Sequence, residues 1–379
     1  MNILIITRID DGHAQALKWA LSHYGAYADT LFESDFPQRG TITYSSDTNT
    51  VTVDGPELRA SSWDVVWCRR SSEWVAHDSI HPEDRKVAKR CGSLMLHALR
   101  YALGDRAFWA NGPESGPRAE NKVRQLQIAK QVGLNIPHTL ISTDPYKVRA
   151  FVGRFGTCIV KPLTTLNWKG PGYTTILPTT RIRLSDLQDD VAIQACPMIY
   201  QQEVKKNCEY RVMVMGREIV AVELDTQSVP QARLDWRWAK PSTMNARRVN
   251  LEDDVELKLL RFMDEADLVC GSFDLARTEA GEIVFFEVNQ QGQFLWLETV
   301  VPSLPMLDIF ARFLISGDKN FRDAGSKPVV TLEGFHDSGE WEKFKTEYPS
   351  LHVTPPNAHV RKVYEDVVEE VPAVAACLV

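Results

Sequence analysis

A mixed α/β fold that opens with an open α/β layer follows from three features of the chain. The first is "MNILIITRIDD", an apolar run that reads as a buried strand, followed by a helical stretch from about His13 to Tyr24 and a second strand near "ADTLFES". The second is "WANGPESGPRAENK", whose glycines and prolines mark a boundary near residue 115. The third is the succession of strand-like runs beyond it, with helical stretches between them.

Taken in order, the elements are justified as follows. Asp10 and Asp11 end the first apolar run. "GTITYSS" and "NTVTVDG" alternate with the period of a strand, and Asp47, Thr48 and Asn49 between them suit a hairpin turn. "WDVVWCRRS" supplies another strand, and residues 81 to 103 read as a helix stopped near Gly104. A helix from Glu120 to Val132 ends at Gly133, with Pro137 beyond. "FGTCIVKPL" is a strand, and "LNWKGPGYTTIL" is a glycine-containing loop leading into the next. "MIYQQEV", "EYRVMVMG" and "EIVAVEL" are further strands, and Glu252 to Asp267 reads as a helix.

Composition excludes several classes of function. With 379 residues, 44% hydrophobic and 25% charged, the chain can build two or three cores and is not a disordered chain. A net charge of −7 leaves no overall basic footprint for nucleic acid, so an anionic ligand would need local basic sites. Cys68, Cys91, Cys158, Cys196, Cys208, Cys270 and Cys377 are scattered and contain no CxxC pair, which fits reduced thiols in a cytoplasmic setting. No apolar stretch approaches the roughly 18 residues of a membrane span, and the N-terminus lacks the pattern of a signal peptide.

One core strand is interrupted. In "EIVFFEVNQQGQFLWLE" the period of two puts Glu287 and Asn289 on one face and Val284, Phe286 and Val288 on the other. A turn at residues 279 to 282, relaxed by Gly281, pairs 278 with 283, 276 with 285, and Asp274 with Glu287. Asp, Glu and Asn oxygens without His or Cys suit Mg²⁺, though the same pattern is equally that of a solvated hairpin face.

Cations fall at telling places upstream. Lys161 closes the strand "TCIVK" on the face of Ile159, an ordinary position for a strand-end lysine. Lys122 opens a helix, where the N-terminal dipole disfavours a cation unless an anion lies nearby. The glycines of "NWKGPGY" could let backbone amides close over phosphates, and are equally a plain turn.

The order of these pieces resembles the ATP-grasp superfamily, and within it the graspetide peptide ligases, the microviridin-type family that forms omega-ester bonds. The resemblance rests on Lys122, Lys161, the glycine loop, "YQQEVKKNCEYRVMVMGREIVAVEL", "DWRW" and "FFEVNQQGQFLWLE". "ILIITRIDDGHA", "ADTLFESDFP" and "VVWCRRS" are similar to that family's pre-ATP-grasp domain. It covers roughly residues 1 to 315 and implies an ATP-grasp fold, α/β and α+β, behind an open α/β domain. The implied division is 1–115, 116–200, 201–318 and an extension at 319–379, with ATP between two α+β lobes.

The resemblance also implies roles. Lys122 and Lys161 would neutralise the α and β phosphates, the backbone of Gln202, Glu203 and Val204 would read the adenine edge, and Glu209 would accept from the ribose. Asp274, Glu287 and Asn289 would hold Mg²⁺ against the β and γ phosphates. Arg211 and Arg237 would face the γ phosphate and an acyl phosphate, guanidinium matching phosphate with two parallel bonds. Glu209 could equally be an ion-pair partner, and Arg237 a surface arginine beside Trp236 and Trp238. Tyr210 and Val212 are core by alternation.

The reaction so implied activates an Asp or Glu side chain of a ribosomal precursor peptide, with leader and core, as an acyl phosphate. A Thr, Ser or Lys of the same peptide then closes an ester or amide ring. The alternative is a RimK-like ligase acting on free amino acids or a protein terminus. A homodimer is compatible with either, and neither nucleic acid nor membrane is expected as a partner. The last ~60 residues have no counterpart in the family and read as a docking appendage or an acidic tail with a Pro355–Pro356 pair.

Overall fold

The computed structural model describes residues 1–353 apart from 61, 73, 78, 105–106, 165–166, 171–172 and 177–178. Pro171 and Gly172 of the glycine loop, Cys377, and the terminal "VYEDVVEEVPAVAACLV" therefore lie outside the described residues.

Strand β1 (Asn2–Thr7) is apolar because it is covered on both faces. It leads into α1 (Gly12–His23), whose N-cap Asp11 accepts from the His13 N–H at 3.1 Å. Then come β2 (Tyr27–Phe32), the hairpin β3 (Thr41–Ser45) and β4 (Thr50–Asp54), β5 (Val65–Cys68), α2 (Arg85–Gly104) and β6 (Phe108–Ala110). Asn49 takes a positive φ of 50° in the hairpin turn, a conformation asparagine tolerates. The four parallel strands lie in the order β2-β1-β5-β6.

The middle of the chain holds α3 (Ser115–Ala119), α4 (Lys122–Gln131), β7 (Thr139–Ser142), α5 (Pro145–Phe155) and β8 (Cys158–Pro162). These are followed by β9 (Asn167–Gly170), β10 (Tyr173–Ile176), β11 (Thr180–Ile182), α6 (Asp190–Ala195) and β12 (Met198–Gln202). An antiparallel sheet in the order β11-β8-β12-β7 packs on α5, and β9 pairs with β10 in a separate ribbon. Helix α5 was not expected from the sequence, although Asp144 caps it through the N–H groups of Tyr146 and Lys147 and proline stands at its first position.

The third part comprises β13 (Lys206–Met215), β14 (Glu218–Leu224), β15 (Ala246–Val249), α7 (Asp253–Ala266), β16 (Cys270–Thr278) and β17 (Ile283–Asn289). Its antiparallel sheet runs β15-β14-β13-β16-β17. Tyr210 and Val212 point into the core with Phe262, Phe273 and Phe285, as alternation predicts. The chain closes with α8 (Trp296–Val300), α9 (Met306–Ser316), α10 (Leu332–Asp337) and α11 (Glu340–Leu351). The last two pack on α1, and the described end is fixed by His352 Nδ1 at 2.7 Å from Asp35 Oδ2. Two helices, α10 and α11, thus lie within the extension.

Candidate active site

The hairpin of β16 and β17 sets Asp274 opposite Glu287, as expected. Beyond that pair the register differs from expectation: Ala276 faces Val284 rather than residue 285, and residue 283 faces Arg277 rather than residue 278. Phe286 is the extra residue of a β-bulge. The bulge breaks the period of two. Phe285, fully buried, takes the core position assigned to Phe286, and Phe286 lines an open cleft beside Glu287.

This open cleft lies between β8–β12 and β13–β17. Ile159 and Lys161 of β8 form one wall, Gln202, Glu203 and Val204 the rim, and Lys206, Glu209, Asp274, Phe286 and Glu287 the floor. Asp235, Trp236 and Arg237 close one end. Strand alternation explains the floor: with Tyr210 and Val212 in the core, Glu209 and Arg211 must face the other way.

Charges inside the site are closely matched. Lys122 Nζ donates to Glu287 Oε2 at 2.7 Å, which supplies the anion that its place at a helix start requires. Arg211 Nη1 donates to Asp274 Oδ1 at 2.7 Å. Arg237 grips Asp235 with two bonds, at 2.8 and 2.6 Å, leaving Nη1 4.0 Å from Glu287. Burial works to raise the Glu287 carboxyl, but Lys122, Lys161 and Arg237 outweigh it and hold it far below the usual range. Asp274 moves the other way, raised by burial against the pull of Arg211, with Glu287 adding to the rise. Burial lowers the Lys161 ammonium, partly offset by Glu287. Glu209 is pushed up to about 7 by burial, although Lys206 Nζ donates to it at 2.7 Å.

Several expected contacts take a different form. The Gln202 N–H is already donated to the His138 carbonyl at 2.9 Å, so backbone donors for a base edge would come from Glu203 and Val204. The Glu203 carboxylate is held outward by Arg181, with bonds of 2.6 to 2.9 Å. Asn289 is exposed, and its Oδ1 accepts from the Gln291 N–H at 3.0 Å. Among the described residues no group of three His, Cys, Asp or Glu converges as a metal site. The oxygen donors are two carboxylates, Asp274 and Glu287, on neighbouring strands, and the Asn289 amide two pairs further along. Hard oxygen donors of this number fit Mg²⁺, which keeps part of its shell for water and phosphate.

Sequence reasoning missed Asp235, Lys206, Thr179 and Phe286. Asp235 was legible: an Asp two residues before Arg237 caps the turn at Trp236–Trp238 through the Arg237 N–H, and its carboxylate also accepts from Thr179 Oγ1 at 3.0 Å. The bulge that re-aims Phe286 left no trace in composition.

Past Asn289 the loop is gripped by the N-terminal part of the chain. Asn111 Nδ2 donates to the Gln290 carbonyl at 3.2 Å and Arg69 Nη1 to that of Gln291. Arg211 Nη2 donates to the Gln293 carbonyl at 3.0 Å, and His13 Nε2 accepts from the N–H groups of Phe294 and Leu295 at 3.3 Å. Burial and Arg69 keep His13 well below its ordinary range and so neutral, as an acceptor must be.

Comparison with known proteins agrees with this architecture. Residues 119–301 match the family model described as a RimK-like ATP-grasp domain. A search of curated proteins gave no match. Macrocyclase MdnC from Microcystis aeruginosa MRC, bound with precursor peptide MdnA, superposes with a TM-score of 0.73 at 24% identity, over 83% of this chain and 100% of that one. A RiPP-associated ATP-grasp ligase of Chryseobacterium gregarium, in complex with ADP and a leader and core peptide, gives 0.75 at 23% identity over 85% and 99%. ATP-grasp ligase PsnB, complexed with a phosphomimetic variant of a minimal precursor, Mg and ADP, gives 0.64 at 20% over 83% and 98%. The chain thus has the ATP-grasp fold behind an N-terminal α/β layer.

Proposed function

We propose that this chain, which carries a RimK-like ATP-grasp domain at residues 119–301, is an ATP-dependent ligase that closes ester or amide rings on a ribosomal precursor peptide. The observation that carries the reading is the cleft in which Lys161, Arg237, Asp274 and Glu287 meet, in a fold shared with a peptide-bound macrocyclase and two peptide-bound ATP-grasp ligases.

Bound ATP and Mg²⁺ would supply the phosphoryl group that turns a substrate carboxylate into an acyl phosphate. The chain's own part is positioning and charge. Lys161 and Lys122 would present ammonium groups to the phosphates, Glu209 would accept from the ribose, and the backbone at Glu203 and Val204 would meet the base. Arg237 is held rigid by both oxygens of Asp235, so its remaining nitrogen would meet the transferred group with little further loss of side-chain freedom. Arg211, between Asp274 and the Gln293 carbonyl, fixes the loop behind the metal ligands Asp274, Glu287 and Asn289. A reducing cytoplasm suits the free thiols of the described cysteines.

The test is mass spectrometry of a precursor peptide encoded beside the gene, incubated with the protein, ATP and Mg²⁺. Ring closure removes one water per ring and consumes one ATP. If ATP turns over only with a free amino acid, and the acceptor gains that residue's mass, the chain is an amino-acid ligase instead.

A further inference from the structure

The carboxyl ends of β1 and β5 meet where the strand order reverses: the chain steps from β1 to β2 on one side and reaches β5 on the other. In open α/β sheets ligands bind in the crevice outside such a point. Here the crevice is walled by charge, with Arg8, Asp10 and Asp11 after β1 and Arg69 and Arg70 after β5. Arg8 is closed off by Asp10 at 3.0 and 2.9 Å. Asp11 is the hub: it accepts from Thr7 Oγ1 at 3.1 Å, with Arg69 Nε at 3.4 Å and Arg70 Nε at 3.5 Å.

Two guanidiniums therefore share one carboxylate. Arg211, across the junction, is balanced by Asp274, and neutral His13 adds no charge. Arg69 is 2% exposed, yet its Nε and Nη2 make no hydrogen bond among the described residues. Nε still lies in the ion pair with Asp11, but the Nη2 N–H groups meet no acceptor among the described residues, which is costly for a buried cation unless a ligand meets them. The Arg70 side chain, 29% exposed, connects this pair to solvent. One uncompensated positive charge matches a carboxylate better than a doubly charged phosphate, and the planar fork matches its two oxygens.

The geometry points to this crevice as a binding site for an acidic side chain of the peptide substrate, with Arg70 touching the carboxylate and Arg69 and Asp11 as positioning residues. The assignment rests on the peptide-ligase reading above. It also links the site to the chemistry, because Arg69 and Arg211 hold the same loop two residues apart, at the carbonyls of Gln291 and Gln293.

The experiment uses the full chain loaded with ADP and Mg²⁺, and two probes, N-acetyl-glutamate α-methylamide and its glutamine counterpart, followed by ligand-observed NMR. The acid should bind about tenfold more tightly than the amide, the worth of one charge-assisted hydrogen bond. Arg70→Gln, checked for folding by circular dichroism, should lose that preference, and Arg70→Lys should recover part of it. Equal binding of acid and amide, no binding of the acid, or full preference in Arg70→Gln would each overturn the assignment. Failure of the wild-type chain to bind ADP at all would instead overturn the ligase reading.

Discussion

Glu287 is the residue on which the site's charges converge. It faces Lys122, Lys161 and Arg237 at once, so Glu287→Gln should leave the chain folded and reduce ADP formation by roughly a hundredfold or more, the scale of losing one preorganised electrostatic group. A coupled assay for ADP checks this, and near-normal turnover would remove Glu287 from the site. Lys161→Met should weaken ADP binding more than Arg237→Met, because Lys161 is assigned to phosphates that ADP retains and Arg237 to the one it lacks. Calorimetry with ADP separates the two. Glu209 gives a pH dependence of definite sign. Its carboxyl is raised to about 7, so between the ordinary Glu range and that value the folded protein holds a proton that the unfolded chain has lost. Stability should therefore fall as pH rises through this window. Glu209→Gln should remove that slope, so the difference between variant and wild type in urea unfolding should shift in the variant's favour from pH 5 to pH 8.

At the scale of elements, the β16–β17 hairpin shows both what the sequence discloses and what it hides. Apolar periodicity located the strands, but the expected turn register was one residue off, and Asp274 stands opposite Glu287 because the bulge at Phe286 makes up the difference. The bulge did not, because one inserted residue alters no composition and is fixed by packing: Phe285 fills the core against Phe262 and Phe273. Helix α5 was hidden by its short apolar face, whereas Asp235 was legible as a cap for the turn that carries Arg237. Lys122 was legible as a cation in an odd place and Lys161 only as an ordinary strand-end lysine, and the anion they share, Glu287, was not. The bulge makes a sharp distinction between two adjacent phenylalanines. Phe285→Ala should cost about 3–5 kcal/mol in chemical unfolding, as for a filled core position, whereas Phe286→Ala should cost far less and act on nucleotide affinity. Similar losses of stability in both would mean that the two rings share the core. Gly292 marks a second constraint: a Cβ there would lie 2.4 Å from the Ser272 Cβ and 3.1 Å from Arg211 Nη2. Gly292→Ala should accordingly displace the loop and slow turnover.

Over the whole molecule, a single core joins parts that the sequence reading kept separate. Ile3 and Ile5 of β1, Met213 and Val222 of the five-stranded sheet, Phe310 of α9, and Phe335, Trp341 and Phe344 of the C-terminal helices belong to one buried cluster. The extension is thus built into the fold as far as Val353, whose N–H reaches Asp35 at 2.7 Å. Its helices press on α1, whose N-terminal end carries His13, which accepts from the loop behind Asn289, and is capped by Asp11, which pairs with Arg69. Trp341 is 1% exposed, so Trp341→Ala should cost about 3–5 kcal/mol and Trp341→Phe much less. Because the cluster is continuous, the loosening should spread. Hydrogen exchange should rise in β1 and at residues 213–222 as well as in α10 and α11. Faster exchange confined to residues 332–351 would show that the extension is a separable cap, and that the N-terminal grip on the loop behind Asn289 does not depend on it.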